Sequence, residues 1–302
     1  MSLMYGLLKP IVRKLVKNRV HQEESYEDFV RVSHEIQAKF RFRLPQIRGY
    51  EFRDEQIGGF HCIVGHKAGR TPKRALVYFV GGGERRWQLP MKKSMARYME
   101  ETDRELFIPL YPLYPDYNIV DEVEMICSLH RRMLERYEAK DIAWLGFSAG
   151  ADMIMATGRY IVRQGNRLPM PGLMIPVSGC NLSISEESYA RMLEIEKRDM
   201  MMNAASMKLF PGFYNPGGKY PEYLWGCAAE DDYTGFPRII MYFGGDEIFA
   251  AEAPEYEKAF KRCGVPDYTI HVTPGMFHAY PMFSFLKEGR QGEDEIIGYL
   301  KQ

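Results

Sequence analysis

Short runs of apolar residues, rich in β-branched and aromatic side chains, recur along the chain with helical patterns between them. Near-continuous apolar runs are typical of strands that are covered on both faces, as in a parallel sheet. The pattern predicts such strands at residues 74–80, 106–110, 142–147, 173–177, 238–243 and 268–272. Upstream of these strands, residues 50–53 and 60–64 flank Gly58-Gly59 and predict an antiparallel hairpin.

Two amphipathic helices are predicted between the strands. Apolar residues recur at helical spacing from Val123 to Tyr137, and a similar stripe runs from Ala151 to Ile161. Strands that alternate with helices indicate βαβ units. The expected fold class is therefore α/β, with a mostly parallel, doubly wound sheet of about eight strands.

Two segments do not follow this alternation. Residues 1–44 are helical and partly basic, whereas residues 181–226 begin with the capping-box pattern Ser183-x-x-Glu186 and are rich in methionine and aromatic residues. We predict that both contribute to a helical cap over the carboxyl ends of the strands, where open α/β sheets bind ligands. The expected division is an N-terminal cap segment at 1–44 and a main domain at 45–302, with a cap insertion at about 181–226.

Composition and charge exclude several classes of protein. The 302 residues include 40 Lys and Arg against 40 Asp and Glu, and without a basic excess we expect no nucleic-acid partner. The five cysteines lack C-x-x-C spacing and the histidines lack metal-ligand spacing, so we expect no disulfide framework, no metal and no cofactor. Neither a signal peptide nor an apolar run of about 18 residues is recognised, and a cytoplasmic protein is expected.

The pattern Gly146-Phe147-Ser148-Ala149-Gly150 is the strongest candidate for chemistry. A predicted strand leads into it and a predicted helix follows it, which is the context that projects a serine hydroxyl from the end of a sheet. The flanking glycines suit a tight turn against which other elements press. We predict Ser148 as a nucleophile, and the alternative is a strand-to-helix turn without chemistry.

The loop Gly81-Gly82-Gly83 directly follows the strand predicted at 74–80. Such a loop can bind phosphate, but the chain shows neither G-x-G-x-x-G nor G-x-x-x-x-G-K-[ST] here. In a serine hydrolase, a glycine-rich loop directs backbone N–H groups at the oxyanion, because glycine permits close approach. We favour that function over a flexible turn.

Two further candidates follow later strands. Asp246 comes after two glycines at a strand end, and His278 follows the last predicted strand. A serine hydroxyl becomes an effective nucleophile when an imidazole takes its proton and a carboxylate orients that imidazole. Because Ser148, Asp246 and His278 have the chain order of α/β-hydrolase triads, we predict them as the catalytic residues, with Glu247 as the nearest substitute acid.

Together these motifs resemble the α/β-hydrolase family, and within it the hormone-sensitive-lipase-like esterase branch. That branch has H-G-G-G at the oxyanion loop, then a Y-x-L-x-P-E-like segment, and G-D-S-A-G around the nucleophile. This chain has V-G-G-G at 80–83, Y-P-L-Y-P-D at 111–116 and G-F-S-A-G at 146–150. The resemblance covers about residues 45–302 and implies an α/β-hydrolase fold with a helical cap.

The resemblance also implies that the oxyanion is bound by the backbone N–H groups of Gly82, Gly83 and Ala149. Two residues depart from the motifs. Val80 replaces a histidine, so any hydrogen bond by which that side chain braces the loop is lost, and Phe147 replaces an acidic residue. Neither change removes a catalytic atom.

We therefore expect a serine carboxylic-ester hydrolase that acts through an acyl-enzyme on small, mostly apolar, short-acyl esters. The methionine- and aromatic-rich insertion favours an apolar, adaptable pocket for such a substrate. Two alternatives stay open. One is an amidase or peptidase with the same triad, and the other is a non-catalytic protein of the same fold that binds a small molecule.

Basic and apolar residues interleave within the first 20 positions. The basic ones are Lys9, Arg13, Lys14, Lys17 and Arg19. A basic amphipathic helix of this kind is able to lie on an anionic membrane. We favour a cap helix, as the resembling family uses its N-terminal helices, with membrane association as the less favoured alternative. The sequence leaves a homo-oligomer open.

Overall fold

The computed structural model describes residues 6, 23, 25–165 and 167–302. Eight strands form one sheet within this part of the chain. They are β1 (Tyr50–Ile57), β2 (Phe60–Lys67), β3 (Arg74–Phe79), β4 (Arg104–Pro109), β5 (Ile142–Phe147), β6 (Leu173–Val177), β7 (Arg238–Gly244) and β8 (Tyr268–Thr273). Their spatial order is β1-β2-β4-β3-β5-β6-β7-β8. The β1–β2 and β2–β4 pairs are antiparallel, and the remaining neighbours are parallel.

Nine α-helices accompany the sheet in the described residues. They are α1 (Tyr26–Gln37), α2 (Lys92–Thr102), α3 (Ile119–Leu134), α4 (Ala149–Arg163), α5 (Glu186–Glu196), α6 (Ala204–Tyr214), α7 (Glu222–Trp225), α8 (Ala253–Cys263) and α9 (Lys287–Lys301). Short 3-10 helices lie at Ala139–Asp141, Pro216–Gly218, Ile248–Glu252 and Tyr280–Met282. Most connections between successive parallel strands therefore contain a helix, as βαβ units require.

The predicted α/β class and the mostly parallel sheet of about eight strands are confirmed. Strands β5 and β6 are buried along their whole length, which is why their sequences are apolar without interruption. The hairpin is longer than predicted, because β1 continues beyond residue 53 to Ile57. At this edge of the sheet charged residues such as Asp54 and Glu55 continue the strand and obscure its apolar pattern.

The segment predicted as an insertion, 181–226, forms α5, α6 and α7 between β6 and β7. A backbone hydrogen bond from Ser183 N to Gly226 O joins its two ends. The predicted capping box at Ser183 is wrong, because α5 begins at Glu186 and its N-cap is Ser185, whose hydroxyl accepts from a backbone N–H. Ser183 instead belongs to the contact that closes the base of the insertion.

Much of the N-terminal segment predicted to join the cap, including the basic residues of its first 20 positions, lies outside the described residues. Helix α1 is described, and its Phe29 ring stacks on Phe213 of α6 with centroids 5.1 Å apart. The described end of the segment therefore packs on the insertion. Among the residues that the structure describes, no helix has the length and apolar character required to span a membrane.

Candidate functional site

Ser148 lies in the turn between β5 and α4, at the carboxyl edge of the parallel strands. Its φ of 53° is a left-handed conformation that is uncommon outside glycine. A Cβ on Gly146 would lie 2.3 Å from Gly150 O, and one on Gly150 would lie 2.2 Å from Phe79 O. Glycine is therefore required on both sides of the serine, as the strained nucleophile turn predicts.

A line of hydrogen bonds connects this serine to a carboxylate. Ser148 Oγ is 2.9 Å from His278 Nε2, and His278 Nδ1 is 2.7 Å from Glu247 Oε2. Glu247 is fully buried, and its Oε1 accepts from Ser178 Oγ and from Gly244 N, each at 2.7 Å. The carboxylate favours the tautomer with the proton on Nδ1, which leaves Nε2 to accept the serine proton.

The structure brings Ser148 and His278 together but does not bring Asp246 to the histidine. Asp246 Oδ1 accepts a hydrogen bond from Arg198 Nε at 3.1 Å instead. Consecutive side chains leave the turn in different directions, and it is the Glu247 side chain that enters the buried space beside His278. The predicted acid is thus corrected from Asp246 to its neighbour.

The charges around His278 favour its protonated form. Burial by itself lowers the pKa of His278, but the hydrogen bond and charge of Glu247, with the charges of Asp199 and Asp152, raise it above its ordinary value. His130 shows the opposite case, because burial on α3 lowers its pKa to about 4. His278 is therefore suited to hold a proton transiently.

Two polar residues that the sequence patterns did not identify connect the loops of this site. Ser178, directly after β6, donates to Glu247 and accepts from Ala279 N at 2.9 Å. The buried carboxylate of Asp199 accepts from Ile248 N at 2.8 Å and from two backbone N–H groups of the insertion. Ser178 could have been recognised from the sequence, because it is a polar residue directly after a buried strand. No sequence pattern around Asp199 indicated that it lies at the site.

The predicted oxyanion groups lie around one cavity. Gly82, Gly83 and Ala149 line it together with Ser148. Ala149 is the first residue of α4, so its N–H has no acceptor within the helix. Gly82 has a φ of 130°, and a Cβ there would lie 2.2 Å from Arg86 O. The loop therefore depends on glycine at this position.

Two tyrosines brace this loop, although the motif's histidine is replaced by Val80. Tyr111 OH donates to Val80 O at 2.6 Å, and Tyr214 OH donates to Gly83 O at 2.8 Å. Tyr214 belongs to α6, so the insertion itself contacts the loop. Phe147, the other departure from the motif, is fully buried in the core.

A cavity of 310 Å³ lies beside Ser148 and His278. Its apolar lining includes Met201, Met202, Phe210, Trp225, Phe249, Met282 and Phe283. Charged residues also line the cavity, namely Glu23, Glu84, Arg85, Arg86, Asp152 and Arg159. The wall therefore combines apolar side chains with a group of charged ones, and the sequence patterns did not indicate the charged part.

Comparison with known proteins agrees with this architecture. A family profile described as alpha/beta hydrolase fold matches residues 76–282. An acetyl-hydrolase from Streptomyces hygroscopicus is 23% identical over 272 residues, which are 85% of this chain and 89% of that protein.

Solved structures show the same fold over the whole chain. An esterase/lipase from an uncultured bacterium is 18% identical, with a TM-score of 0.78 over 100% of this chain and 98% of that one. An esterase of the bacterial hormone-sensitive lipase family is 19% identical, with a TM-score of 0.78 and the same coverage. The chain belongs to the α/β-hydrolase fold family, and the family predicted from the motifs is confirmed.

Proposed function

We propose that this α/β-hydrolase is a serine carboxylic-ester hydrolase. The observation that carries the proposal is the line of hydrogen bonds from Ser148 through His278 to Glu247, at the wall of a cavity. Serine, imidazole and carboxylate in this arrangement form an activated nucleophile with its base and the group that orients the base. The names of the similar proteins, esterase and acetyl-hydrolase, support the same reaction class.

Each group of the triad has a defined task in the proposed reaction. Ser148 Oγ attacks the ester carbonyl carbon while His278 Nε2 takes the serine proton. Glu247 stabilises the imidazolium that forms, because its carboxylate is held by hydrogen bonds and does not need to reorganise. The imidazolium then gives its proton to the leaving alcohol, and an acyl-serine remains.

The oxyanion that develops at the carbonyl oxygen receives hydrogen bonds from the backbone N–H groups of Gly82, Gly83 and Ala149. Donors that are fixed before the reaction stabilise this charge without reorganisation, and losing one such donor typically costs about a hundredfold or more in rate. A water molecule, deprotonated by His278, then attacks the acyl carbon. The bond from that carbon to Ser148 Oγ breaks, the imidazolium returns its proton to Oγ, and the carboxylic acid is released.

The cavity favours small esters with a short, apolar acyl chain. Its 310 Å³ is at the lower end of the range of about 300–1,000 Å³ for small-molecule sites. Each buried methylene contributes about 0.8 kcal/mol while room remains, and overpacking costs about 1–3 kcal/mol. We infer an optimum at acyl chains of about two to six carbons. The acetyl group in the name of the Streptomyces relative supports a short chain.

The proposal is tested with p-nitrophenyl esters from acetate to palmitate, and with p-nitroanilides of the same acids. We expect kcat/KM to peak at short acyl chains and to be far lower for the anilides. A fluorophosphonate probe should label the wild-type protein but not Ser148→Ala. Absence of both labelling and hydrolysis in a folded protein would indicate a binding protein, and a peak at long chains would contradict the substrate assignment.

A further inference from the structure

The charged part of the cavity wall contains carboxylates that do not contact the triad in the proposed reaction. Glu84 directly follows the oxyanion loop, is only 4% exposed and has a φ of 53°. Asp152 lies on α4, one helical turn after Ser148, and lines the same cavity. Two buried arginines of the wall are paired with other carboxylates, Arg85 with Glu23, which also lines the cavity, at 2.6 Å and Arg159 with Asp231 at 3.3 Å. Arg86, the third arginine of the wall, is exposed.

A third carboxylate lies close to these two. Glu122 on α3 is fully buried, and neither of its oxygens receives a hydrogen bond from the described residues. Burial raises the pKa of Glu122, and the charges of Glu84, Asp121 and Asp152 raise it further. Burial and the charge of Asp152 likewise raise the pKa of Glu84. These carboxyl groups are therefore close enough to repel one another when ionised.

Such an arrangement is unfavourable when the carboxyl groups are ionised. A buried carboxylate without a partner has lost its hydration, and several of them repel at the low dielectric constant of a protein interior. Burial raises the pKa of Asp152 to about 7, although a backbone N–H from Cys180 and the charges of His278 and Arg159 act in the opposite direction. A cation bound between Glu84 and Asp152 would offset the cost of ionising these two groups, because charge-assisted hydrogen bonds are the strongest that carboxylates form.

Resting on the ester-hydrolase function proposed above, we propose that the cavity binds substrates that carry a protonated amine, held by the carboxylates of Glu84 and Asp152. The apolar side chains of the insertion would then contact the hydrocarbon part of the same molecule. Glu122 would not contact the amine but would add negative potential behind Glu84. The site therefore selects an amine-containing ester over a neutral ester of the same shape.

The test compares n-hexylammonium chloride with 1-hexanol, two probes of similar shape that differ in charge. Binding is measured by calorimetry at about pH 8, where a primary amine is protonated. Inhibition of p-nitrophenyl butyrate hydrolysis is measured in parallel. We expect the ammonium to bind about tenfold more tightly than the alcohol, since hydrogen bonds to charged groups are about twice as strong as neutral ones. Inhibition should be competitive.

Three variants test which carboxylates cause the preference for the ammonium probe. Glu84→Gln and Asp152→Asn should each reduce the preference for the ammonium severalfold, and either one carries the test if the other does not fold. Glu222→Gln removes the same charge from an exposed position on α7 and should keep the wild-type preference. Equal binding of the two probes by the wild-type protein, or a wild-type preference in both cavity variants, would overturn the proposal. Because calorimetry needs no turnover, this failure is distinct from a failure to hydrolyse esters.

Discussion

The two turns that carry the proposed nucleophile, Ser148, and the proposed acid, Glu247, differ in how far the local sequence determines which side chain contacts His278. Around Ser148, neighbouring backbone packs so closely on the glycines that a side chain there would clash. Ser148 has the only side chain in the turn that is able to act as a nucleophile. The turn after β7 is also tight, because a Cβ on Gly244 would lie 2.5 Å from Met276 O and Phe277 O. It nevertheless offers two adjacent carboxylates, so local geometry alone does not select between them.

The selection at the second turn comes from neighbours that are distant in the sequence. Ser178 Oγ and His278 Nδ1 surround the Glu247 carboxylate, whereas Arg198 of the insertion pairs with Asp246. A short motif therefore identifies a residue reliably when backbone sterics determine its role. It identifies the residue less reliably when contacts to other loops determine the role.

The largest effect is expected at the nucleophile turn. Ser148→Ala removes the attacking oxygen, and kcat should fall by about 10⁴- to 10⁶-fold, as for other triads. The measurement is hydrolysis of p-nitrophenyl butyrate, with thermal unfolding to verify that the variant is folded. Retention of most of the activity in a folded variant would show that Ser148 is not the nucleophile.

The comparison between the turns is tested most directly by paired amide substitutions. Glu247→Gln should lower kcat by about 10³- to 10⁴-fold, because the amide cannot stabilise the imidazolium and favours the wrong tautomer. Asp246→Asn is the matched control and should lower kcat by less than about tenfold, since it breaks an ion pair with a mostly exposed arginine and leaves the Glu247–His278 hydrogen bond in place. The reverse ranking would restore Asp246 as the acid.

A smaller effect is expected where the insertion braces the oxyanion loop. Tyr214→Phe removes the hydroxyl that donates to Gly83 O and keeps the ring in its aromatic cluster. A lost hydrogen bond of about 1 kcal/mol predicts a fall in kcat of roughly five- to tenfold with little change in KM. Tyr117→Phe, at an exposed tyrosine, is the control. A change confined to KM would indicate that Tyr214 acts only in substrate binding.

The smallest effect concerns pH. His278 acts as a base when it is neutral, so kcat/KM should rise with pH through its pKa. The midpoint should lie above the ordinary value of about 6.5, because Glu247, Asp199 and Asp152 favour the imidazolium more than burial disfavours it. The residual activity of Glu247→Gln should have a lower midpoint. A midpoint that is the same in both proteins would mean that another group titrates.

Much of the fold was predictable because buried strands are recognised as apolar runs in the sequence. Strands β5 and β6 occupy the predicted residues, since strands covered on both faces are apolar throughout. The N-cap of α5 was misassigned because Ser183 and Ser185 are equally good caps by residue type. A backbone contact between the ends of the insertion decides between them.

Local patterns in the sequence were enough to predict the α/β class, the tight turn at Ser148 and the loop that carries His278, because periodicity and backbone sterics act over a few neighbouring residues. Only the tertiary structure selected Glu247 over Asp246 and set Tyr214 against the oxyanion loop. It alone revealed that Glu84 faces the cavity near other carboxylates. These features depend on where side chains from separate loops meet. The residues next to a carboxylate in the sequence do not indicate which groups will surround it in the fold.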